Sequence, residues 1–133
     1  MEIKFWKDKD KKQIDPDLFS EKAEILAKKI FEEGKRNNKL NKPTQIRKFY
    51  DEVVRFDNIV KASPSEFETM LPYLKMLNAK AAYAMGRDLI SKGFKDFISS
   101  SLKQIKDKDD FEAFAGLFES FIGYYKFYAV KSE

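Results

Sequence analysis

The sequence predicts an all-α fold, a single compact bundle of about five helices. Apolar residues recur at three- and four-residue spacing in five segments, and no run alternates apolar and polar residues over a useful strand length. Proline, serine and aspartate start signals lie between those segments. The 133 residues are 43% hydrophobic and 36% charged. That is apolar material for one core beneath a charged surface, which excludes a disordered chain.

Residues 1–14 hold Trp6 among Lys and Asp residues and lead to Asp15-Pro16. They read as a mobile arm or a short edge segment, with the bundle over 15–133. The first helix is expected from Asp17, carrying Leu18, Phe19, Ala23, Leu26, Ala27, Ile30 and Phe31 to a C-cap at Gly34. A basic loop from Lys35 to Lys42 follows. Pro43-Thr44 opens the second helix, whose stripe is Ile46, Phe49, Tyr50, Val53, Val54 and Val60. Ser63-Pro64-Ser65-Glu66 is a helix start signal with an N-cap serine. Pro72 inside the next run is expected to kink or split that helix, leaving a longer piece that is apolar on more than one side and therefore central. A fourth helix spans about 92–106. Asp107 to Asp110 forms a turn and cap cluster. The last helix carries Phe111, Phe114, Ala115, Phe118, Phe121, Ile122 and Tyr125.

Composition excludes much chemistry. There is no cysteine and no histidine. Disulfides, thiolate metal sites, and Ser-His or Cys-His catalysis are therefore absent. A magnesium site made of carboxylates alone stays chemically open. The pairs Asp51-Glu52 and Asp109-Asp110 have simpler roles as a solvated face and a helix cap. No catalytic residue, metal or cofactor is expected. No apolar run approaches the ~20 residues of a membrane span, and the charged N-terminal residues predict no export signal. The expected location is the cytoplasm, without membrane contact.

The net charge is only +4, but it is unevenly placed. Lys35 to Tyr50 holds six bases (Lys35, Arg36, Lys39, Lys42, Arg47, Lys48) and no acid. Leu71 to Arg87 holds Lys75, Lys80 and Arg87, again without an acid. Asp109 to Tyr125 holds four acids and no base. Arg47, Lys48 and Arg55 form a strip on the second helix. Such a strip either follows a phosphate backbone or is an ordinary solvated face. The same alternative holds for Lys75, Lys80 and Arg87. Leu117, Tyr124 and Phe127 form a second stripe on the last helix, which points to a protein contact, self-association included.

Two stretches bear on identity. One is Lys42-Pro-Thr-Gln-Ile-Arg-Lys-Phe-Tyr50. The other is Leu71-Pro-Tyr-Leu-Lys-Met-Leu-Asn-Ala-Lys-Ala-Ala-Tyr-Ala-Met-Gly-Arg87. With the aromatic terminal helix, opened by Phe111-Glu-Ala-Phe114 and closed by Phe118-Glu-Ser-Phe-Ile-Gly-Tyr-Tyr-Lys-Phe-Tyr128, the chain resembles the small-subunit family of type III-A CRISPR–Cas (Csm) effector complexes over about residues 15–130. The resemblance implies a non-catalytic helical subunit of antiviral defence. Its copies stack as an inner filament beside the other Csm subunits and touch guide RNA and single-stranded target RNA through the backbone, without sequence specificity. Carried over, Arg47, Lys48, Lys75, Lys80 and Arg87 become RNA contacts, with Lys39, Lys42 and Arg55 at the periphery. The alternative is a helical protein-interaction or oligomerisation module with no nucleic-acid role.

Overall fold

A computed structural model describes residues 2–37 and 39–132. Met1, Asn38 and Glu133, which fall in the expected arm, basic loop and bundle, lie outside the described residues. Six α-helical segments are present among those described: α1 (Glu21–Arg36), α2 (Pro43–Ala62), α3 (Phe67–Lys75), α4 (Leu77–Gly86), α5 (Lys92–Gln104) and α6 (Lys108–Lys131). A 3-10 turn, Pro64–Glu66, precedes α3. The all-α bundle is as expected. Near the N-terminus a small antiparallel pair is added, β1 (Trp6–Asp8) with β2 (Gln13–Ile14), in which Trp6 faces Ile14.

The long apolar stripe of α6 organises the molecule. α1 and α2 pack along it, and α4 packs on α5. Phe111, Phe114, Phe118 and Phe121 are fully buried. The rings of Phe114, Phe118 and Phe121 meet Phe94 and Phe97 of α5 at centroid separations of 5.4–6.2 Å, two of the pairs edge to face, and Phe111 meets Phe56 and Phe67 at 6.3 Å. That geometry suits the ring quadrupoles. The cap of α6 is the expected aspartate cluster. Asp107 Oδ1 accepts from the Asp110 amide at 2.9 Å, and Asp110 Oδ2 accepts back from the Asp107 amide at 3.3 Å.

Residues 2–14 pack on the bundle rather than standing off it as an arm. Ile3 and Phe5 join the core, and Phe5 lies 6.4 Å from Phe114. Trp6 Nε1 donates to Asp110 Oδ1 at 2.8 Å, and Lys9 Nζ reaches Asp107 and Asp110 at 2.9 Å. Ile3 and Phe5, standing in sequence among Glu2, Lys4 and Trp6, give little periodic signal.

Five local expectations are also corrected. α1 starts at Glu21, because Asp15 Oδ1 and its carbonyl first hold a turn through the amides of Asp17 and Leu18. Gly34 is inside α1 and serves close packing: a Cβ there would sit 2.9 Å from the Leu40 carbonyl. Ser63 makes no side-chain cap bond. Pro72 stays within α3 on the solvent side, where water can serve the Glu68 carbonyl that its ring leaves unbonded. The break falls at Met76, whose amide bonds to the Tyr73 carbonyl at 3.2 Å. Finally, α4 is peripheral and not central. It buries Leu77, Ala81 and Ala84 but exposes Met76 at its cap, Ala79, Ala82 and Tyr83.

One buried polar knot ties the connections together. Asn41 is 1% exposed and has a left-handed φ of 58°. Its amide nitrogen donates to the Ile30 carbonyl and to Ser91 Oγ at 3.0 and 2.9 Å, and its Oδ1 accepts from the Ser91 amide at 2.9 Å. Its backbone amide donates to the Leu89 carbonyl at 3.0 Å, and its carbonyl accepts from the Tyr125 hydroxyl. Burial pushes the Tyr125 phenol up to about 12, so it remains a donor. Ser91 in turn caps α5 and donates to Glu33. The knot joins α1, the two loops that lead into α2 and α5, and α6.

Candidate nucleic-acid interface

With those two loops pinned together, the start of α2 and the end of α4 stand side by side. Between them runs a groove of about 510 Å³. From α2 it is lined by Gln45, Lys48, Phe49, Asp51 and Glu52, and from α4 and its C-cap by Leu77, Lys80, Tyr83, Ala84 and Arg87. Gln45, Lys48 and Glu52 repeat at one-turn steps along one side of α2. The floor is apolar, because Phe49, Leu77 and Ala84 are core residues, and the rims are charged.

The expected bases do not form one continuous face. Lys48, Lys80 and Arg87 share the groove. Arg47 lies on the other flank of α2, beside Pro43, Ile46, Ile122, Tyr125 and Lys126, and its Nε reaches Asp51 Oδ1 at 3.3 Å. Lys75 ends α3 and is outside the groove lining. Lys39 and Lys42 are exposed in the loop before α2. Arg55 pairs with Glu52 at 3.0 Å.

Segments free of acids in sequence are not free of them in space. Glu52 accepts from Arg55 and also sits 3.6 Å from Lys80. The Arg55 guanidinium holds the Glu52 carboxyl below its ordinary range; burial pushes the other way, and the Lys80 charge adds to the lowering. The groove thus carries three bases against two carboxylates. Among the described residues Lys48 and Arg87 make no ion pair, so their charge is available to a ligand. The guanidinium carbon of Arg87 lies 5.7 Å from the Tyr83 ring centroid, and its Nη1 donates to the Tyr83 hydroxyl at 3.4 Å. Tyr83 is 67% exposed. Gln45, Tyr83 and Glu52 were not among the expected contacts. The signal for Gln45 and Glu52 was their one-turn offset from Lys48.

Comparison with known families decides the chain's identity. The family model described as Csm2 Type III-A matches residues 14–131. The chain belongs to that family. It is thereby a member of the small subunits of type III-A CRISPR–Cas complexes, and its family partners are the other Csm subunits. The matched range takes in both lining helices of the groove and the whole of α6. No curated protein and no solved structure matches the chain.

The second candidate surface lies on α6. Leu117 is fully buried and is removed from it, because α6 is covered on several sides and not along one stripe. Tyr124 is half-buried and Phe127 is exposed. With Phe19, Glu24, Ser120 and Gly123 they line a shallow cleft of about 480 Å³. Ile25 of α1 and Val130 of α6 are further exposed apolar residues. No helix among the described residues is long and apolar enough to cross a membrane.

Proposed function

We propose that this Csm2-family chain is a non-catalytic subunit that holds guide and target RNA through their phosphates, without reading sequence. The observation that carries the reading is the convergence of Lys48, Lys80 and Arg87 on one groove with an apolar floor. Ammonium and guanidinium groups neutralise phosphate, and phosphate contacts carry no base information. That suits a subunit whose guide changes. Arg47, Lys75, Lys39, Lys42 and Arg55 stand outside the groove and act as flanking contacts in this reading. The location it requires is the cytoplasm.

The test is reconstitution of the Csm complex with wild type and with a Lys48→Ala/Lys80→Ala/Arg87→Ala variant. Binding of single-stranded RNA by each free chain is measured alongside. Loss of RNA retention with a folded variant supports the reading. Unchanged RNA affinity and assembly would sink it. The exposed apolar cleft of Phe19, Tyr124 and Phe127 favours a second role, self-association of copies along the complex.

A further inference from the structure

The groove has a feature that phosphate binding does not use. Tyr83 projects from its rim with two-thirds of its surface exposed. A free surface tyrosine is ordinarily mobile, but this one is held. Arg87, four residues on, places its guanidinium over the ring and donates to the phenol oxygen. Lys80, three residues back, lines the same groove. Met76 at the break and Tyr73 of α3 before it are further exposed side chains, at 54% and 60%. Along the groove side of α4 and its C-cap the order is therefore Lys80, Tyr83 and Arg87, one exposed ring between two cations. No acid occurs between Leu71 and Arg87 in sequence, and the carboxylate nearest Lys80 is Glu52 of α2, at 3.6 Å.

We infer that Tyr83, braced by Arg87, is a stacking platform for an unpaired nucleobase, so that the groove takes single-stranded in preference to paired RNA. The inference rests on the RNA-binding reading above and deepens it. Bases of a single strand offer their faces to aromatic rings, and any base serves, so the contact stays independent of sequence. In an A-form duplex the bases are already stacked on each other and only backbone and groove edges are offered. Lys80 and Arg87 are placed to hold the phosphates on either side of the stacked base.

The test uses the full chain, labelled RNA of about 20 nucleotides and fluorescence anisotropy at low salt. The same strand is measured alone, paired with its complement, and with abasic sites that keep the phosphates. Tyr83 is exposed, so its variants should fold, and circular dichroism checks this. Tyr83→Ala is expected to weaken single-strand binding about tenfold and duplex binding less than about twofold. Tyr83→Phe should keep the affinity. The abasic strand should bind wild type as weakly as the intact strand binds Tyr83→Ala. Lys80→Ala/Arg87→Ala should weaken both RNA forms. Stacking is overturned, with the groove reading intact, if Tyr83→Ala changes nothing or affects both RNA forms equally while Lys80→Ala/Arg87→Ala weakens binding. It is likewise overturned if Tyr83→Ala disturbs only assembly with other subunits, which makes the row a protein contact. No RNA binding by wild type, or none lost in Lys80→Ala/Arg87→Ala, overturns the groove reading and the platform together.

Discussion

At the residue scale, two side chains set the character of the molecule. Glu52 occupies the groove that is proposed to hold RNA, where it neutralises Arg55 and draws on Lys80. An incoming phosphate must displace that carboxylate and tolerate its charge. Glu52→Gln is therefore expected to raise RNA affinity about three- to tenfold at 50 mM salt, since one like charge within several ångströms in a wet groove is worth on the order of 1 kcal/mol. Near 300 mM salt the gain should shrink through screening, and a salt titration of both proteins checks it. Asn41 is the structural counterpart. Its amide satisfies a buried carbonyl, a hydroxyl and an amide at once. Asn41→Ala removes these three bonds, leaves the buried Ser91 amide without its acceptor and keeps a left-handed φ that alanine disfavours. The expected loss is about 2–4 kcal/mol in urea unfolding, with Asn41→Gly recovering about 1 kcal/mol of it. Asn41 was unreadable as a keystone because its partners lie 11 to 84 residues away.

At the element scale, the N-terminal strand pair is clasped to the start of α6. Trp6 and Lys9 both reach the Asp107–Asp110 cap. Burial pushes the Asp107 carboxyl up, but the Lys9 ammonium and the Asp110 amide outweigh it, and the net effect lies below the ordinary 3.8. A depressed carboxyl stabilises the folded state above the unfolded value and loses that contribution as pH falls through the folded one. Lys9 is raised above 10.5, chiefly by hydrogen bonding to Asp107, so its share persists until strongly alkaline pH. The clasp should thus be constant from pH 5 to pH 10 and weaken in acid below about pH 4. Trp6 is the single tryptophan, so its emission reports on the strand pair. Lys9→Met should flatten the acid limb of stability relative to wild type; superimposable limbs would refute the clasp. These elements show how legibility divides. The five periodic segments were read correctly as helices, because burying one stripe imposes the 3.6 period. The strand pair was legible only as one of two alternatives, a short edge segment, because a three-residue and a two-residue strand are too short to show alternation.

At the scale of the whole molecule, the two surfaces lie on different elements, the groove on α2 and α4 and the apolar cleft on α6 with Phe19. A subunit making three or four phosphate contacts on single-stranded RNA has a salt slope of about −2 to −3. Its affinity falls on the order of 20–60-fold between 50 and 200 mM salt. In the proposed reading one copy is a weak binder at physiological salt, and adjacent copies supply the rest through effective concentration. If the cleft joins copies, Phe127→Glu should abolish concentration-dependent association in sedimentation. Phe127 is exposed, so melting should change by no more than about 0.5 kcal/mol. A wild type that stays monomeric at high concentration would refute the role.

The sequence by itself determined that this chain is helical, that it lacks the side chains of thiol and histidine chemistry, and which family it resembles. Those properties are local: residue type, helical period and the order of short stretches carry them. Only the tertiary structure decided which bases stand together. It paired Lys48 with Lys80 and Arg87, sent Arg47 to the opposite flank, buried Leu117 and brought Glu52 into the groove. The reason is geometric. Which side of a helix meets which neighbour depends on loops held by contacts such as those of Asn41, and these join residues remote in the chain.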